Sequence, residues 1–367
     1  MSLQLNGTNG VTYNDGTLQS SAPVGRNRII NGNMTIDQRN AGASLTITAN
    51  PQYTVDRWFA GVTNASKISV QQSSTAPTGF TKSMLVTSLA ATTPGTSELY
   101  YMQQSIEGYN VSDLDFGLAT AKTITISFWV RSSLTGEFGA VLLNASSNRS
   151  FPFNYTISIA DTWTKITQTI AGDTTGTWLT TNGTGFQLRF GLGAGATFQG
   201  TAGSWGTTNA VTTTGATSVV GTSGATLYIT GVQLEAGTTA TDFENLQYGQ
   251  QLALCQRYFE RYNGGVDGGI PQGVARTDLG NRPETNLFYL EKRANPTITG
   301  DSTVNFNTMA NTNAVTTTGP HSFVGTGPRG ANLFYYTASG VVAGALSGIG
   351  LIVLNGASDY INIDAEL

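Results

Sequence analysis

Charge is scarce in this chain: Asp, Glu, Lys and Arg make up 11% of its 367 residues, against roughly 25% in an ordinary globular protein. Long salt-bridged helices are therefore disfavoured, and 45 glycines favour turns and extended segments. The net charge is only -4, and no Lys/Arg cluster interleaves with aromatics. The electrostatic footprint of DNA or RNA binding is missing, so nucleic acid is excluded as a partner. Cysteine and histidine each occur once, as Cys255 and His321. A zinc site needs about four Cys, His or carboxylate ligands, and a nucleophilic triad needs a placed histidine, so both chemistries drop out. We expect no metal and no cofactor.

Long apolar runs are also lacking. Val341 to Leu354 spans about 14 residues and is broken by glycines, short of the roughly 20 that a membrane helix requires. It reads as strands, and no membrane insertion is expected. The opening MSLQLNGTNG lacks the basic-then-apolar pattern of a signal peptide, so ordinary secretion is not indicated. Cys255 reads as a buried small hydrophobe and His321, in TTTGPHSFVGTG, as an exposed loop imidazole.

What the chain does contain is strand periodicity. Ile124, Ile126, Phe128 and Val130 alternate with Thr123, Thr125, Ser127 and Arg131, and Phe186, Leu188, Phe190 and Leu192 repeat the pattern. Tyr155 to Ile159, Trp163 to Ile170 and the turn Ala171-Gly-Asp173 fall between them. This spacing predicts a mainly β fold, with a two-sheet jelly-roll sandwich over residues 26–243. Residues 1–25 form a separate segment too small to build a core. Beyond residue 264 a smaller, glycine-rich C-terminal β domain runs to residue 367.

Between the two β modules, residues 244–263 read as a connecting helix with Asp242 as N-cap. Tyr248, Leu252, Cys255, Phe259 and Tyr262 recur at steps of four, three, four and three, which makes a narrow apolar seam. Such a seam suits either a bundle of three copies or the helix's own sandwich.

Candidate chemistry is thin. Gly191-Leu-Gly193-Ala-Gly195 follows a strand like a phosphate-binding loop, but no helix follows it. The pairs Asp113/Asp115 and Asp364/Glu366 read as solvated or cation-binding carboxylates rather than a glycosidase acid and base. Glu235 and Asp242 read as a surface charge and a cap rather than calcium ligands. Trp58 and Trp129 look structural, whereas Trp178 and Trp205 sit in glycine-flanked loops where an aromatic face can meet a sugar ring. These two tryptophans are the candidate ligand-binding residues, and no catalytic residue is expected.

Several segments, in this order, carry a resemblance. SLQLNGTNGVTYNDGTLQSSAP, with its Asp15-Gly-Thr17 and Gln19-Ser-Ser21 core, looks like a short attachment or trimerisation motif. NRIINGNMTIDQRNAGAS and YTVDRWFAG are similar to the start of a carbohydrate-binding-module-like jelly roll. KTITISFWVRSS, DTWTKITQTIAGDTTGTW, ATLYITGVQLEAGTTATDFE, QLALCQRYFERY and the final ASDYINIDAEL continue the likeness. Together they resemble bacteriophage tail fibres and related virion-surface proteins. The resemblance implies a trimeric virion protein, made in the host cytoplasm, docked to other virion proteins through its N-terminal segment and attached to a host surface polysaccharide. A capsid decoration or head-fibre protein and a glycan-degrading tailspike are the alternatives.

Overall fold

The computed structural model describes residues 25–263, 284–300, 303–308, 315–318, 322–334, 350–353 and 360–367, with three short strands before residue 20. The chain divides into two compact units, Met1–Gln247 with Leu367, and Tyr248–Glu366. The three short strands β1 (Gln4–Asn6), β2 (Gly10–Thr12) and β3 (Leu18–Gln19) pair antiparallel in one small sheet.

The rest of the first unit is a jelly-roll sandwich. Its strands are β4 (Leu45–Thr46), β5 (Gln52–Tyr53), β6 (Phe59–Val62), β7 (Ile68–Ser73), β8 (Ser83–Ser88), β9 (Leu99–Glu107), β10 (Ile124–Ser132), β11 (Gly136–Asn144), β12 (Ser150–Ile157), β13 (Thr164–Ile170), β14 (Thr184–Ala194), β15 (Gln199–Gly200), β16 (Thr212–Thr213) and β17 (Thr226–Ala236). One six-stranded sheet runs β13-β10-β17-β8-β7-β4 and the other β12-β11-β14-β9-β6-β5, while β15 and β16 form a separate two-residue parallel ladder.

The alternation in the sequence sets which face is buried. Ile124, Ile126, Phe128 and Val130 of β10 face Phe138, Ala140 and Leu142 of β11 and Phe186, Leu188, Phe190 and Leu192 of β14 within one core. Phe128 meets Phe190 and Tyr155 edge to face at 5.0 and 5.2 Å, and each such ring contributes roughly 1.5–3 kcal/mol through burial. β13 shows the opposite behaviour, alternating partly buried and exposed residues along an edge.

The two sequence motifs at the start of the sandwich lock together around Asn31. Its buried side-chain amide donates to the carbonyls of Ile36 and Asp56 and accepts from the Ile36 N–H, while Trp58 Nε1 donates to the Asn31 carbonyl. Trp58 is fully buried, as the sequence predicts.

The second unit holds α1 (Tyr248–Gln256), β18 (Phe259–Asn263), β19 (Glu284–Phe288), β20 (Thr297–Gly300), β21 (Thr303–Thr308), β22 (Val315–Thr318), β23 (Ser322–Gly327), β24 (Gly330–Phe334), β25 (Gly350–Val353) and β26 (Tyr360–Asp364). They pair as three antiparallel three-stranded sheets, β18-β26-β20, β19-β24-β23 and β22-β21-β25. Arg293 fastens the end of β26 by donating to the carbonyls of Ala365 and Glu366.

The helix differs from the sequence expectation at both ends. Residues 243–247 are not helical, because Glu244 is held by tertiary bonds: its carboxylate accepts the N–H groups of Gly25 and Asn27, and its own N–H donates to Gln233 Oε1. Asp242 therefore caps no helix. At the other end, Phe259–Asn263 pairs residue by residue with Tyr360–Asp364, from Phe259 opposite Asp364 to Asn263 opposite Tyr360. A long-range ladder overrides the local helical pattern there.

Candidate functional site

The loops at one end of the sandwich carry the first candidate site. Asp173 is 3% exposed and accepts Arg149 through both oxygens, from Nε at 2.6 Å and Nη2 at 2.8 Å. The same carboxylate accepts the N–H and hydroxyl of Thr175. This hydrogen bonding raises the Arg149 pKa above its ordinary value. Beside it, Asn144 accepts the N–H groups of Asn148 and Arg149 and donates to the Thr177 carbonyl. Side chains thus fix loop backbone that no sheet ladder would hold.

That fixed loop positions the tryptophans. Trp178 Nε1 donates to the Thr175 carbonyl at 3.0 Å, and Trp205 Nε1 donates to the Ala171 carbonyl at 2.8 Å. The rings meet edge to face at 5.5 Å, over Phe116, which lies 4.9 Å from Trp178 and 5.9 Å from Trp205. Phe186 and Phe151 complete the cluster. The two candidate ligand-binding residues are therefore brought together, but with different roles. Trp178 is 8% exposed and belongs to the core, so its ring offers no open face. Trp205 is only partly buried and packs against the core from outside.

Exposed apolar side chains share these loops. Tyr109 is 59% exposed and its N–H donates to the Thr181 carbonyl. Leu179, next to Trp178, is 39% exposed, and Leu118, two residues beyond Phe116, is 58% exposed. Nothing local in the sequence distinguishes Tyr109 from a core tyrosine.

A second candidate lies on the face of β9 and β14 turned away from the core. Arg189, 6% exposed, donates through Nε to Gln103 Oε1, through Nη1 to Asn209 Oδ1 and the Ala210 carbonyl, and through Nη2 to Gln187 Oε1 and Ser147 Oγ. Its guanidinium also lies over Tyr101. Burial lowers the Arg189 pKa, opposed by Tyr101. This face is crossed by residues 196–216: Val211 packs with Phe59 and Tyr101, and Ala210 with Val141 and Leu143. Glycine makes the close approach possible, since a Cβ on Gly191 would come within 2.6 Å of Thr212 Cβ. The Gly191-Leu-Gly193-Ala-Gly195 run thus serves strand and crossing rather than a phosphate. Sequence reasoning missed Arg189; an arginine alternating within the apolar series of β14 was the available signal.

The remaining candidates sort by their hydrogen bonds. Glu235 accepts the N–H and hydroxyl of Thr241 and the amide of Gln233, closing a turn. Asp113 pairs with Arg28 at 2.8 Å, and Asp364 accepts the Glu366 N–H. No group of three or more His, Cys, Asp or Glu that could hold a metal occurs among the described residues. In the seam, Cys255 is buried, Tyr248 is 65% exposed and Leu252 is partly buried, while Phe259 and Tyr262 lie in β18 and cannot share a helical stripe with them. His321 lies outside the described residues.

No protein-family model matches the chain, and no curated protein matches it. Among solved structures it is similar to the enzymatically active domain of tailspike protein 4 of bacteriophage CBA120, at 13% identity and a TM-score of 0.30 over 57% of this chain and 21% of that chain. A xylan-binding domain from Paenibacillus barcinonensis is similar at 12% identity and a TM-score of 0.28, over 55% of this chain and 99% of that one. A family 11 carbohydrate-binding module from Clostridium thermocellum is similar at 12% identity and a TM-score of 0.28, over 55% and 100%.

Proposed function

We propose that this protein is a phage virion-surface component that attaches the particle to a host cell-surface polysaccharide through the loop end of its sandwich. The observation that carries the reading is Trp205: a partly exposed indole, fixed by its N–H on Ala171 and braced from behind by Phe116, Phe151 and Trp178. A rigid amphipathic ring of this kind can stack on a sugar face without losing side-chain freedom on binding. Tyr109 supplies a second exposed ring in the same loops. The virion setting rests on the ordered sequence motifs. The proposed role is binding without hydrolysis.

Assembly as a trimer is part of this proposal, since several weak sugar contacts gain strength when linked. Its contact is reduced from the original seam to the exposed Tyr248 and the partly exposed Leu252, four residues apart on α1. Leu252→Asp is expected to lower the mass seen in sedimentation; an unchanged mass removes α1 from the interface.

The test of attachment is competition. Host cells incubated with the purified protein and washed should adsorb fewer phage, and Trp205→Ala with Tyr109→Ala should abolish that protection while preserving the folded circular dichroism spectrum. Unimpeded adsorption with the folded wild-type protein overturns the reading. Release of reducing ends from host polysaccharide would overturn the non-catalytic part.

A further inference from the structure

We infer that a cavity beside the crossing segment is a separate subsite for one uncharged sugar residue, an inference that rests on the glycan-binding reading above. The cavity measures about 330 Å³ and is lined by Thr93, Thr96, Gly193, Gln199, Thr217 and Ser218 among others. It sits on the opposite strand end of β14 from the loops around Trp178, since it involves Gly193 to Ala196 whereas those loops precede Thr184. Its size falls at the lower end of ligand pockets, which run from about 300 to 1,000 Å³.

The lining sets the ligand class. Hydroxyls, one carboxamide, backbone groups and the small apolar side chains of Pro94, Ala194, Ala196 and Ala216 line it, with no carboxylate, ammonium, guanidinium or aromatic ring among the lining residues. An anionic sugar entering here would give up hydration with no countercharge to replace it. A neutral polyol matches hydroxyl for hydroxyl. The Gln199 amide is oriented by donating to the Ala194 carbonyl at 2.8 Å.

Ser218 supplies the independent observation. Its Oγ is buried and has no hydrogen-bond partner among the described residues, although Ser218 lines the cavity. Opposite it lies Gly193, where a Cβ would come within 2.6 Å of that oxygen. The bare glycine lets this wall pack closely, since the same Cβ would also come within 2.7 Å of Val220 Cγ2. Turned toward the cavity by rotation about the Ser218 Cα–Cβ bond, the hydroxyl would bond an entering sugar hydroxyl in place of the partner it lacks among the described residues.

The walls are preorganised and the mouth is accessible. Val220 donates to the Leu192 carbonyl, Thr92 to Val220, Gly195 to Glu98 and Thr217 to Glu137, all through backbone N–H groups. Thr93, Thr96 and Ala196 are exposed at the rim.

Saturation-transfer NMR on the full chain tests the site, with glucose, galactose and N-acetylglucosamine as neutral probes and glucuronate as the anionic one. Ala196→Trp blocks the mouth from an exposed position, and Ser218→Ala removes a hydroxyl that makes no bond among the described residues. In the Trp205→Ala, Tyr109→Ala background, which removes the exposed rings of the loop end, at least one neutral sugar should bind, glucuronate should not, Ala196→Trp should abolish the signal, and Ser218→Ala should weaken it by roughly 3- to 10-fold. Binding that survives Ala196→Trp and Ser218→Ala but is lost in Trp205→Ala overturns the cavity and leaves the loop-end reading standing. Absence of any neutral-sugar signal from the wild-type chain overturns the cavity too, and the adsorption competition then decides separately whether glycan attachment holds.

Discussion

The guanidinium carbon of Arg189 lies 4.8 Å from the ring centre of Tyr101. With its nitrogens bound to amide, hydroxyl and carbonyl oxygens, this buried cation is held by uncharged acceptors and a π face. The planar fork matters more than the charge. Arg189→Lys should therefore destabilise the sandwich by about 2 kcal/mol or more, because an ammonium cannot reach the Gln103, Gln187 and Asn209 oxygens together. Urea unfolding followed by tryptophan fluorescence measures this; a loss below 0.5 kcal/mol, roughly the lower limit for a single net hydrogen bond, would show that charge alone suffices.

Tyr155 presents the reverse case. Its ring stacks on Phe138 at 5.6 Å and meets Phe128 edge to face, yet its hydroxyl is buried without a partner among the described residues. Burial pushes the phenol well above the ordinary tyrosine range. Tyr155→Phe should keep both ring contacts, remove the stranded hydroxyl and stabilise the fold by about 1 kcal/mol. A lower melting temperature in the variant would contradict this.

Asp173 ties the tryptophan loop to Arg149. Asp173→Ala leaves the guanidinium without its carboxylate and frees Thr175, whose carbonyl holds Trp178. The expected loss is roughly 3 kcal/mol, with a red shift of tryptophan emission as water reaches the cluster. If the emission stays unchanged, the aromatic packing alone positions the rings.

In the second unit, Lys292 is 2% exposed and donates to Glu260 at 2.8 Å and to the Gln256 carbonyl. Burial lowers its pKa, with Glu260 partly opposing. The unfolded chain then binds the proton more tightly than the folded one, so this group makes stability rise with pH between its depressed value and about 10.4. Tyr289, pushed up to about 12 by burial and by Glu260, works in the other direction. Its contribution falls as pH climbs from its unfolded value near about 10 to the folded value. Lys292→Met should remove the rising limb and destabilise this unit by about 3 kcal/mol by leaving the buried Glu260 without its countercharge, held among the described residues only by the Tyr262 hydroxyl and the Leu290 N–H. Adding Glu260→Gln should recover more than half. The Ile361 and Ile363 methyl resonances during urea titration at several pH values would report both effects, and a slope unchanged by Lys292→Met would disprove the assignment.

The strands of the sandwich were legible because alternation is a local property. Ile124 to Val130 and Phe186 to Leu192 lie on the buried faces that their spacing predicts. The helix was legible only in its middle. Glu244 is drawn away by Gly25 and Asn27, more than 200 residues earlier, and Phe259 by Asp364, about 100 residues later. Neither partner can be read from a helical window. The candidate site divides in the same way: the glycine-flanked tryptophans stand out in the sequence, but Phe116, which turns Trp178 into core, lies some 60 residues upstream. Arg189 was hidden because its five donors find acceptors on four separate segments.

The order of strands within the two sheets also governs how copies can coexist. Each sheet ends on one side in a strand of two residues, β4 or β5, too short to template another chain. On the other side β12 carries Pro152, and its Ser150 is bridged to Gly206 from the loop that bears Trp205. β13 carries Lys165, exposed, along its edge. The margins of the sandwich are thus poor partners for strand addition, so a second copy of the sandwich finds no long bare edge on which to extend either sheet.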